Sequence, residues 1–272
     1  MPELPEVEAT RRGIERAAAD QLIDELRIYD ARLRWPVDRA IPAQIAGQRI
    51  TAVGRRAKYL LLVLERGTLI LHLGMSGSLR ILPVETPLRK HDQFDLRLAN
   101  GTTLRFNDPR RFGSLHYTRE DPARHPLLQH LAPEPFAADF DAAYLSRITR
   151  GRRVAIKQVL MNSRLVTGVG NIYASEALFR ARIHPRRRAG RLSERDASQL
   201  LRGIRGALSA AIRAGGTTLR DYVGTDGNPG AFRQKLYVYE RDGQPCRRCG
   251  TLIRRITQGQ RSSYFCPHCQ PK

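Results

Sequence analysis

The N-terminal residues Met1-Pro2-Glu3-Leu4-Pro5-Glu6 include groups suited to covalent catalysis. If Met1 is removed, Pro2 presents a secondary α-amine, and because an α-amino group has a pKa near ~8, part of it is neutral and nucleophilic at neutral pH. Such an amine can attack a sugar carbon and form an imine. Glu3 and Glu6 are near enough in sequence to transfer protons or to stabilise a cationic intermediate. Taken alone, the same residues fit a helix start stiffened by proline.

Four cysteines form a second chemical motif. They lie in the last 27 residues with the spacing C-x2-C-x16-C-x2-C, and they are Cys246, Cys249, Cys266 and Cys269. This spacing is typical of zinc ribbons, in which four thiolates hold a structural ion without an open position. Two disulfides are the alternative, but a chain of 272 residues with no other cysteine does not resemble an oxidised framework. We therefore predict one structural zinc ion.

The charge balance indicates the class of partner. The chain has 47 Lys and Arg against 26 Asp and Glu, a net charge of +21. This excess favours a polyanion, nucleic acid first, although an arginine-rich proteome would produce the same composition. No apolar run approaches the ~18 residues of a membrane-spanning helix, and the acidic N-terminus does not resemble a signal peptide. We expect a cytoplasmic protein that does not bind membranes.

The hydrophobic pattern predicts a β-rich N-terminal part. Pro5 and the acidic residues around it predict a helix that continues to about Ala19. Between Leu22 and about Tyr117, alternating stretches such as YLLLVL, TLILHL, QFDLRLA and TTLRF predict an antiparallel sandwich or barrel. The proline-rich sequence that follows breaks the pattern, and we place an interdomain linker at residues 132–152.

The C-terminal part is predicted to be helical. Ser193 and Asp196 resemble a capping box, which predicts a helix that Gly215 and Gly216 end. The stretch KLYVY predicts a strand, and the cysteine segment predicts a hairpin. The predicted domains are residues 1–131, residues 153–235 with a glycine-rich loop at 217–230, and a zinc finger at 236–272.

Six motifs occur in order over nearly the whole chain, and together they closely resemble the formamidopyrimidine-DNA glycosylase family. They are MPELPEVE, RRAKYLLL, HLGMSGSLRI, NDPRRFG, LVTGVGNIYASEALF and the four-cysteine finger. The resemblance implies an α+β protein with an N-terminal antiparallel β-sandwich and flanking helices. Its C-terminal domain would combine a helix–two-turn–helix motif with a β-hairpin zinc finger, and DNA would cross the cleft between the domains.

The resemblance also implies an activity. It describes a monomeric bacterial base-excision-repair enzyme that acts on damaged double-stranded DNA. Such an enzyme excises oxidised purines, 8-oxoguanine and formamidopyrimidines, and then cleaves the abasic strand. By this resemblance Pro2 attacks C1′ and forms a Schiff base that promotes β,δ-elimination, while Glu3 transfers protons. Lys58 and Arg261 complete the catalytic set by holding phosphates beside the lesion.

The remaining site residues follow from the same resemblance. The implied DNA contacts are His72, Arg110, Lys157, Asn171 and Tyr239. An enzyme that acts on a base in duplex DNA must evert it, and Met75, Arg110 and Phe112 would fill the space left behind. The implied lesion-recognition residues are Glu6, Thr217, Leu219, Arg220, Asp221 and Tyr222. The position of Asn171 before a helical run also predicts that it is a helix N-cap.

Two alternative functions remain open from the sequence. An endonuclease VIII-type enzyme would act on oxidised pyrimidines by the same amine chemistry, but Leu4, Met75, Arg110 and Phe112 match the purine branch better. A catalytically silent zinc-finger protein would also bind DNA. Retention of Met1 would favour that second alternative, because the free amine would no longer belong to Pro2.

Overall fold

The computed structural model describes residues 2–216, 225 and 232–272, with the backbone alone at 232 and 233. The chain forms two compact units. The first comprises Met1–Gln129 with Ala214–Arg233, and the second comprises His130–Arg213 with Gln234–Lys272.

The first unit contains two four-stranded antiparallel sheets, in the orders β1-β6-β7-β5 and β2-β3-β4-β8. Its helices are α1 (Leu4–Ala18) and α2 (Ile41–Ile45), with a short 3₁₀ helix at Pro122–Arg124. The strands are β1 (Ile23–Ile28), β2 (Ile50–Arg56), β3 (Tyr59–Leu64), β4 (Gly67–His72), β5 (Ser78–Pro83), β6 (Asp92–Leu98), β7 (Thr102–Asn107) and β8 (Ser114–Thr118). The predicted antiparallel β architecture is confirmed, and the four alternating stretches correspond to β3, β4, β6 and β7.

Alternating side chains explain how these strands form one core. In β3 every second residue is buried, and Leu60, Leu62 and Leu64 point inward while their neighbours are partly exposed. The inward residues of both sheets join one hydrophobic cluster, to which α1 adds Val7 and Ile14. Burying a leucine side chain fully contributes about 1.5–3 kcal/mol, so this cluster holds the two sheets and α1 together.

The second unit contains four α-helices and one hairpin among its described residues. They are α3 (Ala142–Thr149), α4 (Ile156–Leu160), α5 (Asn171–Arg180), α6 (Glu194–Arg213), β9 (Arg254–Gln258) and β10 (Arg261–Phe265), with 3₁₀ helices at Ala189–Arg191 and Phe232–Lys235. A Cβ at Gly203 of α6 would lie 2.5 Å from the Ala177 carbonyl oxygen, so glycine permits the close approach of α5 and α6. No described helix has the length and hydrophobicity to cross a bilayer.

The predicted start and end of α6 are confirmed. The Ser193 hydroxyl accepts the Asp196 N–H at 3.1 Å, and the Asp196 carboxylate accepts the Ser193 N–H at 2.9 Å. These reciprocal bonds form the capping box. After Arg213, Gly215 and Gly216 adopt positive φ angles of 74° and 87°, a conformation that ends the helix.

The segment predicted as a linker, residues 132–152, contains α3. The Asp141 carboxylate caps this helix by accepting the Tyr144 N–H at 2.6 Å. Leu145 is buried on its inner face. The nearby prolines dominate the local sequence pattern, whereas an eight-residue helix gives only a short periodic signal.

The strand predicted from KLYVY is wrong. The backbone N–H groups of Tyr237, Val238 and Tyr239 all donate to the Glu176 carboxylate, at distances of 2.9 to 3.1 Å. A strand would donate them to a neighbouring strand instead. The aromatic and β-branched composition is correct for a strand, but a buried acidic side chain of α5 supplies the acceptors.

Candidate active site and nucleic-acid contacts

The start of α1 buries both carboxylates of the N-terminal motif. Glu3 and Glu6 are each 1% exposed, and Pro2 is also buried. The Glu3 backbone N–H donates to Glu6 Oε2 at 2.8 Å. That N–H belongs to the peptide bond between Pro2 and Glu3. Glu6 therefore fixes the orientation of this peptide and with it the position of Pro2 at the start of α1.

Glu6 also borders the segment predicted to recognise the lesion. A Cβ on Gly216 would lie 3.3 Å from Glu6 Oε1. Thr225 anchors the other end of this stretch, since its carbonyl accepts the Ile81 N–H at 3.1 Å. The other predicted recognition residues lie outside the described residues, and they are Thr217, Leu219, Arg220, Asp221 and Tyr222.

Lys58 lies in the two-residue turn between β2 and β3, and Arg55 connects this turn to α1. Arg55 Nε donates to Glu8 Oε2 at 3.1 Å, and Arg55 Nη1 donates to the Ala57 carbonyl at 2.8 Å. Ala57 is buried and has a φ of 53°, a strained conformation for a residue with a Cβ. Glu8 and Arg55 are positioning residues that the sequence analysis missed, because their contact spans 47 residues.

The Glu8 carboxylate remains ionised at neutral pH. Burial by itself raises its pKa, but hydrogen bonds from Arg11, Arg12 and Arg55 outweigh that effect and lower the pKa. The contact between Glu8 and Arg55, which connects α1 to the Lys58 turn, therefore remains an ion pair at neutral pH.

His72 ends β4 as a neutral imidazole. Its Nδ1 accepts the Gly74 N–H at 2.9 Å, so the ring proton lies on Nε2. Burial lowers the pKa of His72 to about 4, and the nearby Lys58 and Arg34 cations contribute to this lowering. The structure thus brings Lys58 and His72 together and adds Arg34, which the sequence analysis missed. A neutral N–H donor beside cations is suited to a phosphate oxygen.

A single buried carboxylate joins the two loops that carry Met75 and Phe112. Asp108 accepts the Ser76 hydroxyl and the Gly113 N–H, each at 2.7 Å, and is completely buried. The loops also touch directly, since a Cβ on Gly74 would overlap the Phe112 backbone. The structure therefore brings the predicted intercalating residues onto adjacent loops.

The side chains on these loops differ in exposure. Phe112 is 43% exposed, Arg110 is exposed with its guanidinium 5.0 Å from the Phe112 ring centroid, and Met75 is half-buried. Because the Phe112 ring is not part of the hydrophobic core, it can insert into a base stack without disturbing that core. The adjoining Arg34 N–H donates to the Gly113 carbonyl at 3.0 Å, and its guanidinium lies 4.7 Å from the ring of Trp35.

Lys157 is buried in the second unit and supports other residues. It is 2% exposed, and its Nζ lies 2.7 Å from Asn171 Oδ1, 2.8 Å from the Ser262 carbonyl and 2.7 Å from Ser263 Oγ. An ammonium has three protons, and these three acceptors use them all. Lys157 therefore positions Asn171 and β10, and its predicted direct contact with DNA stays a prediction.

Asn171 is the first residue of α5, and Gly170 is the N-cap, so the predicted N-cap role of Asn171 is wrong. Its side chain is oriented by Lys157 and by Tyr239, whose hydroxyl lies 3.4 Å from Asn171 Nδ2. Arg261 is exposed at the start of β10, next to the residues that Lys157 holds. The structure thus brings Asn171, Tyr239 and Lys157 together.

The four cysteine sulfurs lie together as one donor set. All four lie within 4.8 Å of one another, with 3.5 Å between Cys249 and Cys266 and 4.0 Å between Cys246 and Cys269. Four thiolates around one zinc ion lie ~3.8 Å apart, whereas disulfide sulfurs are separated by ~2.05 Å. The donor set fits zinc and leaves no open position. Gln270 accepts the Cys266 N–H and donates to the Ile183 carbonyl, which fixes the finger to the end of α5.

Three family models match the chain along its length. They are the formamidopyrimidine-DNA glycosylase N-terminal domain at residues 1–115, the formamidopyrimidine-DNA glycosylase H2TH domain at 131–223 and the zinc finger found in FPG and IleRS at 243–272. A formamidopyrimidine-DNA glycosylase of Methylococcus capsulatus is 55% identical over 270 residues, covering 99% of this chain and 100% of that relative. The chain belongs to the formamidopyrimidine-DNA glycosylase family.

Solved structures of formamidopyrimidine-DNA glycosylases share this fold. MutM (Fpg) from Thermus thermophilus matches with a TM-score of 0.88 and 40% identity, covering 100% of this chain and 99% of that one. A Lactococcus lactis Fpg mutant in complex with Fapy-dG-containing DNA matches with a TM-score of 0.92 and 33% identity over the full length of both chains. The predicted α+β fold and family are therefore confirmed, and so is the predicted zinc finger of this formamidopyrimidine-DNA glycosylase family member.

Proposed function

We propose that this chain is a base-excision-repair DNA glycosylase that removes oxidised purines, 8-oxoguanine and formamidopyrimidines, from duplex DNA and then cleaves the strand as an AP lyase. Its membership of the formamidopyrimidine-DNA glycosylase family supports the glycosylase activity. The L. lactis relative has been solved with Fapy-dG-containing DNA and with DNA that contains an oxidised pyrimidine, which supports an oxidised base as the substrate. The purine preference rests on the match of Leu4, Met75, Arg110 and Phe112 to the purine branch.

The observation that carries the proposal is the buried N-terminal motif. Two carboxylates flank the peptide that follows Pro2, and Glu6 orients that peptide through the Glu3 N–H. Such an arrangement places an amine next to a proton-transferring group in a site that excludes water. The same two carboxylates form the capping box of α1, so the helix start holds both of them beside Pro2. A zinc-finger DNA-binding protein does not require carboxylates to be buried at its N-terminus.

The proposed reaction begins with attack of the Pro2 nitrogen on C1′ of the damaged nucleoside. The bond from C1′ to the base breaks, and the base leaves with a proton. Glu3 protonates O4′ as the sugar ring opens, which leaves a positively charged imine between C1′ and Pro2. Loss of a proton from C2′ expels the 3′ phosphate, and loss of a proton from C4′ expels the 5′ phosphate. Water then releases the sugar fragment and regenerates the amine.

Each unit supplies residues for the DNA backbone in this proposal. Lys58 and His72 would hold phosphates beside the lesion, one as a cation and the other as a neutral donor. Asn171, Tyr239 and Arg261 would hold phosphates from the second unit, with Lys157 and the zinc finger keeping them in position. Zinc itself takes no part in the reaction, because four thiolates leave it no open position.

Borohydride trapping tests the covalent step. Untagged protein, shown by mass spectrometry to lack Met1, is incubated with duplexes that carry 8-oxoguanine opposite cytosine or an oxidised thymine opposite adenine. We expect a crosslink that maps to Pro2, mainly on the first duplex. Pro2→Ala should greatly reduce trapping because it lacks the secondary amine, whereas the matched control Pro5→Ala should retain it.

Other results would reassign the function. Preferential trapping on the oxidised-thymine duplex would support an endonuclease VIII-type activity. Tight binding to both duplexes without any crosslink would leave a DNA-binding protein with no glycosylase–lyase chemistry. Full trapping by Pro2→Ala would remove Pro2 as the required nucleophile.

A further inference from the structure

A second basic surface lies at the far end of α5 from Asn171. The helix has ten residues, so Asn171 and Arg180 are separated by about 13 Å along its axis. At the Arg180 end is a cavity of about 330 Å³, which we call the arginine pocket; it is lined by Arg180, Ala181, Arg182, Gln199, Arg202 and Gly203. None of these lining residues is acidic.

The guanidinium of Arg180 is held in place by aromatic stacking. Its Cζ lies 5.2 Å from the Tyr237 ring centroid, and Tyr237 stacks on Phe179 with centroids 5.2 Å apart. Arg248 lies over the Phe179 ring at 4.8 Å. A cation–π contact uses the flat face of a guanidinium and leaves its N–H edge available for hydrogen bonds. Two head groups are thus ordered without using their donors.

The arginines of this surface have no hydrogen-bonded anion among the described residues. Arg180 Nε is buried without a hydrogen-bond partner. The nearest acid along α5, Glu176, accepts backbone N–H groups of residues 237–239, and its interaction with Arg180 is coulombic, without a hydrogen bond between these two described side chains. Arg187 in the same unit shows the usual arrangement, a salt bridge to Asp196 at 2.9 Å.

The basic surface continues beyond the arginine pocket. Arg182 also lines an adjoining cavity of about 440 Å³, together with Arg248, His268 and the predicted zinc ligands Cys249 and Cys269. Three arginines that line one cavity raise its positive potential, which favours an anion with several acceptor oxygens. Guanidinium groups bind phosphate through paired hydrogen bonds, which makes phosphate the ligand best matched to this surface.

We propose that the arginine pocket is a second phosphate-binding site, which takes backbone phosphates of a DNA segment other than the one held at Asn171. This inference rests on the proposed function only in that DNA is the substrate. A second site on the opposite end of α5 allows the protein to contact a new duplex before it leaves the first. Transfer between duplexes then proceeds through a ternary complex and does not require free protein.

Direct-transfer kinetics test the proposal. Wild-type protein is bound to a fluorescent lesion duplex, and its dissociation is followed by anisotropy at increasing concentrations of unlabelled duplex. We expect the dissociation rate to rise with competitor concentration. In Arg182→Gln/Arg202→Gln the slope of this rise should fall by about a hundredfold, because each of the two lost charge-assisted hydrogen bonds costs roughly tenfold in affinity. The control Arg39→Gln/Arg119→Gln removes the same charge from exposed positions of the first unit and should keep the wild-type slope.

The outcomes separate the pocket from the proposed function. A dissociation rate independent of competitor in wild-type protein that still cleaves the lesion duplex would overturn the second site and leave the glycosylase proposal intact. Absence of both lesion binding and cleavage would overturn the proposed function itself. Equal acceleration by polyglutamate, lost in the same double variant, would assign the pocket to an acidic polypeptide and overturn the DNA proposal.

Discussion

At the scale of single residues, burial determines which groups near the site are charged. Lys157 is a buried cation whose three protons all have acceptors, whereas His72 is a buried base that burial and neighbouring cations keep neutral. In a basic sequence, lysine and histidine both suggest phosphate binding. Only the contacts in the structure show that Lys157 positions other residues and that His72 is a neutral hydrogen-bond donor.

The low pKa of His72 predicts a pH dependence of stability. The unfolded chain takes up a proton at this histidine below about pH 6.5, while the folded protein does so only near its pKa of about 4. The unfolded state therefore binds more protons in this window, and stability falls as the pH drops from 6.5 toward 4. The loss attributable to His72 is at most about 3 kcal/mol.

Urea unfolding between pH 7 and pH 4.5 measures this contribution. We expect wild-type protein to lose more stability across the range than His72→Gln does. The exposed His130→Gln serves as the control and should follow the wild-type curve. Parallel curves for wild type and His72→Gln would show that His72 titrates alike in the folded and unfolded states.

At the scale of elements, local patterns predicted four strands of the first unit and the ends of α6, but not the contacts that place the site. Alternation over six residues identifies β3 because its period matches the strand, and Ser193 with Asp196 identifies a helix start because the two residues bond each other. The Arg55–Glu8 contact and the bonds from residues 237–239 to Glu176 join distant parts of the chain. No periodic or capping signal in one sequence encodes such pairings.

Because Asp108 joins the loops of Met75 and Phe112, we predict that its loss slows base eversion more than the later cleavage of the strand. Asp108→Asn keeps the shape but replaces one acceptor oxygen with a donor. Either the Gly113 N–H loses its acceptor, or Ser76 must accept where it now donates and the Arg110 N–H loses its contact with this carboxylate. We expect a loss of about 1–3 kcal/mol in the free energy of unfolding. Excision of 8-oxoguanine should slow, while cleavage of preformed abasic DNA should change little because no base remains to be everted.

Single-turnover rates on the two substrates provide the measurement. The control is Asp121→Asn, at the exposed start of the 3₁₀ helix Pro122–Arg124. Equal slowing on both substrates would show that Asp108 supports the whole site and not the loops of Met75 and Phe112 in particular.

The zinc finger predicts coupled loss of metal and DNA affinity. Cys249→Ser removes one of four thiolates, and the hairpin that carries Arg261 then loses its main constraint. We expect zinc content to fall and the Kd for lesion DNA to rise by roughly tenfold or more, the cost of one charge-assisted contact. Chelator-treated wild-type protein should behave alike. Wild-type affinity in a zinc-free sample would contradict this role.

At the scale of the whole molecule, the cations that produce the net charge of +21 have different roles. Some cations are paired inside the units, such as Arg105 with Asp95 at 2.7 Å, and contribute nothing to DNA binding. Others remain exposed on the surface, as Arg261 does. Composition alone predicts a polyanionic partner, but it cannot separate these groups because pairing depends on the fold.

Salt dependence of DNA binding can distinguish charged from neutral phosphate contacts. Each phosphate neutralised by a cation changes the slope of log affinity against log salt by about 0.9. Lys58→Gln should therefore make the slope shallower by about 0.9. His72→Gln should weaken binding without changing the slope, because this imidazole is neutral. Fluorescence anisotropy over a salt series measures both, and a reduced slope in His72→Gln would show a charged imidazole in the complex.

Trp35 is an intrinsic fluorescence probe of this protein. It is the single tryptophan of the chain, it is 40% exposed, and the guanidinium of Arg34 covers its ring. The Arg34 backbone is bonded to Gly113, next to Phe112, and its charge is felt at His72. A phosphate that draws Arg34 toward His72 would uncover the indole, so its emission would report phosphate binding beside these loops without any added label.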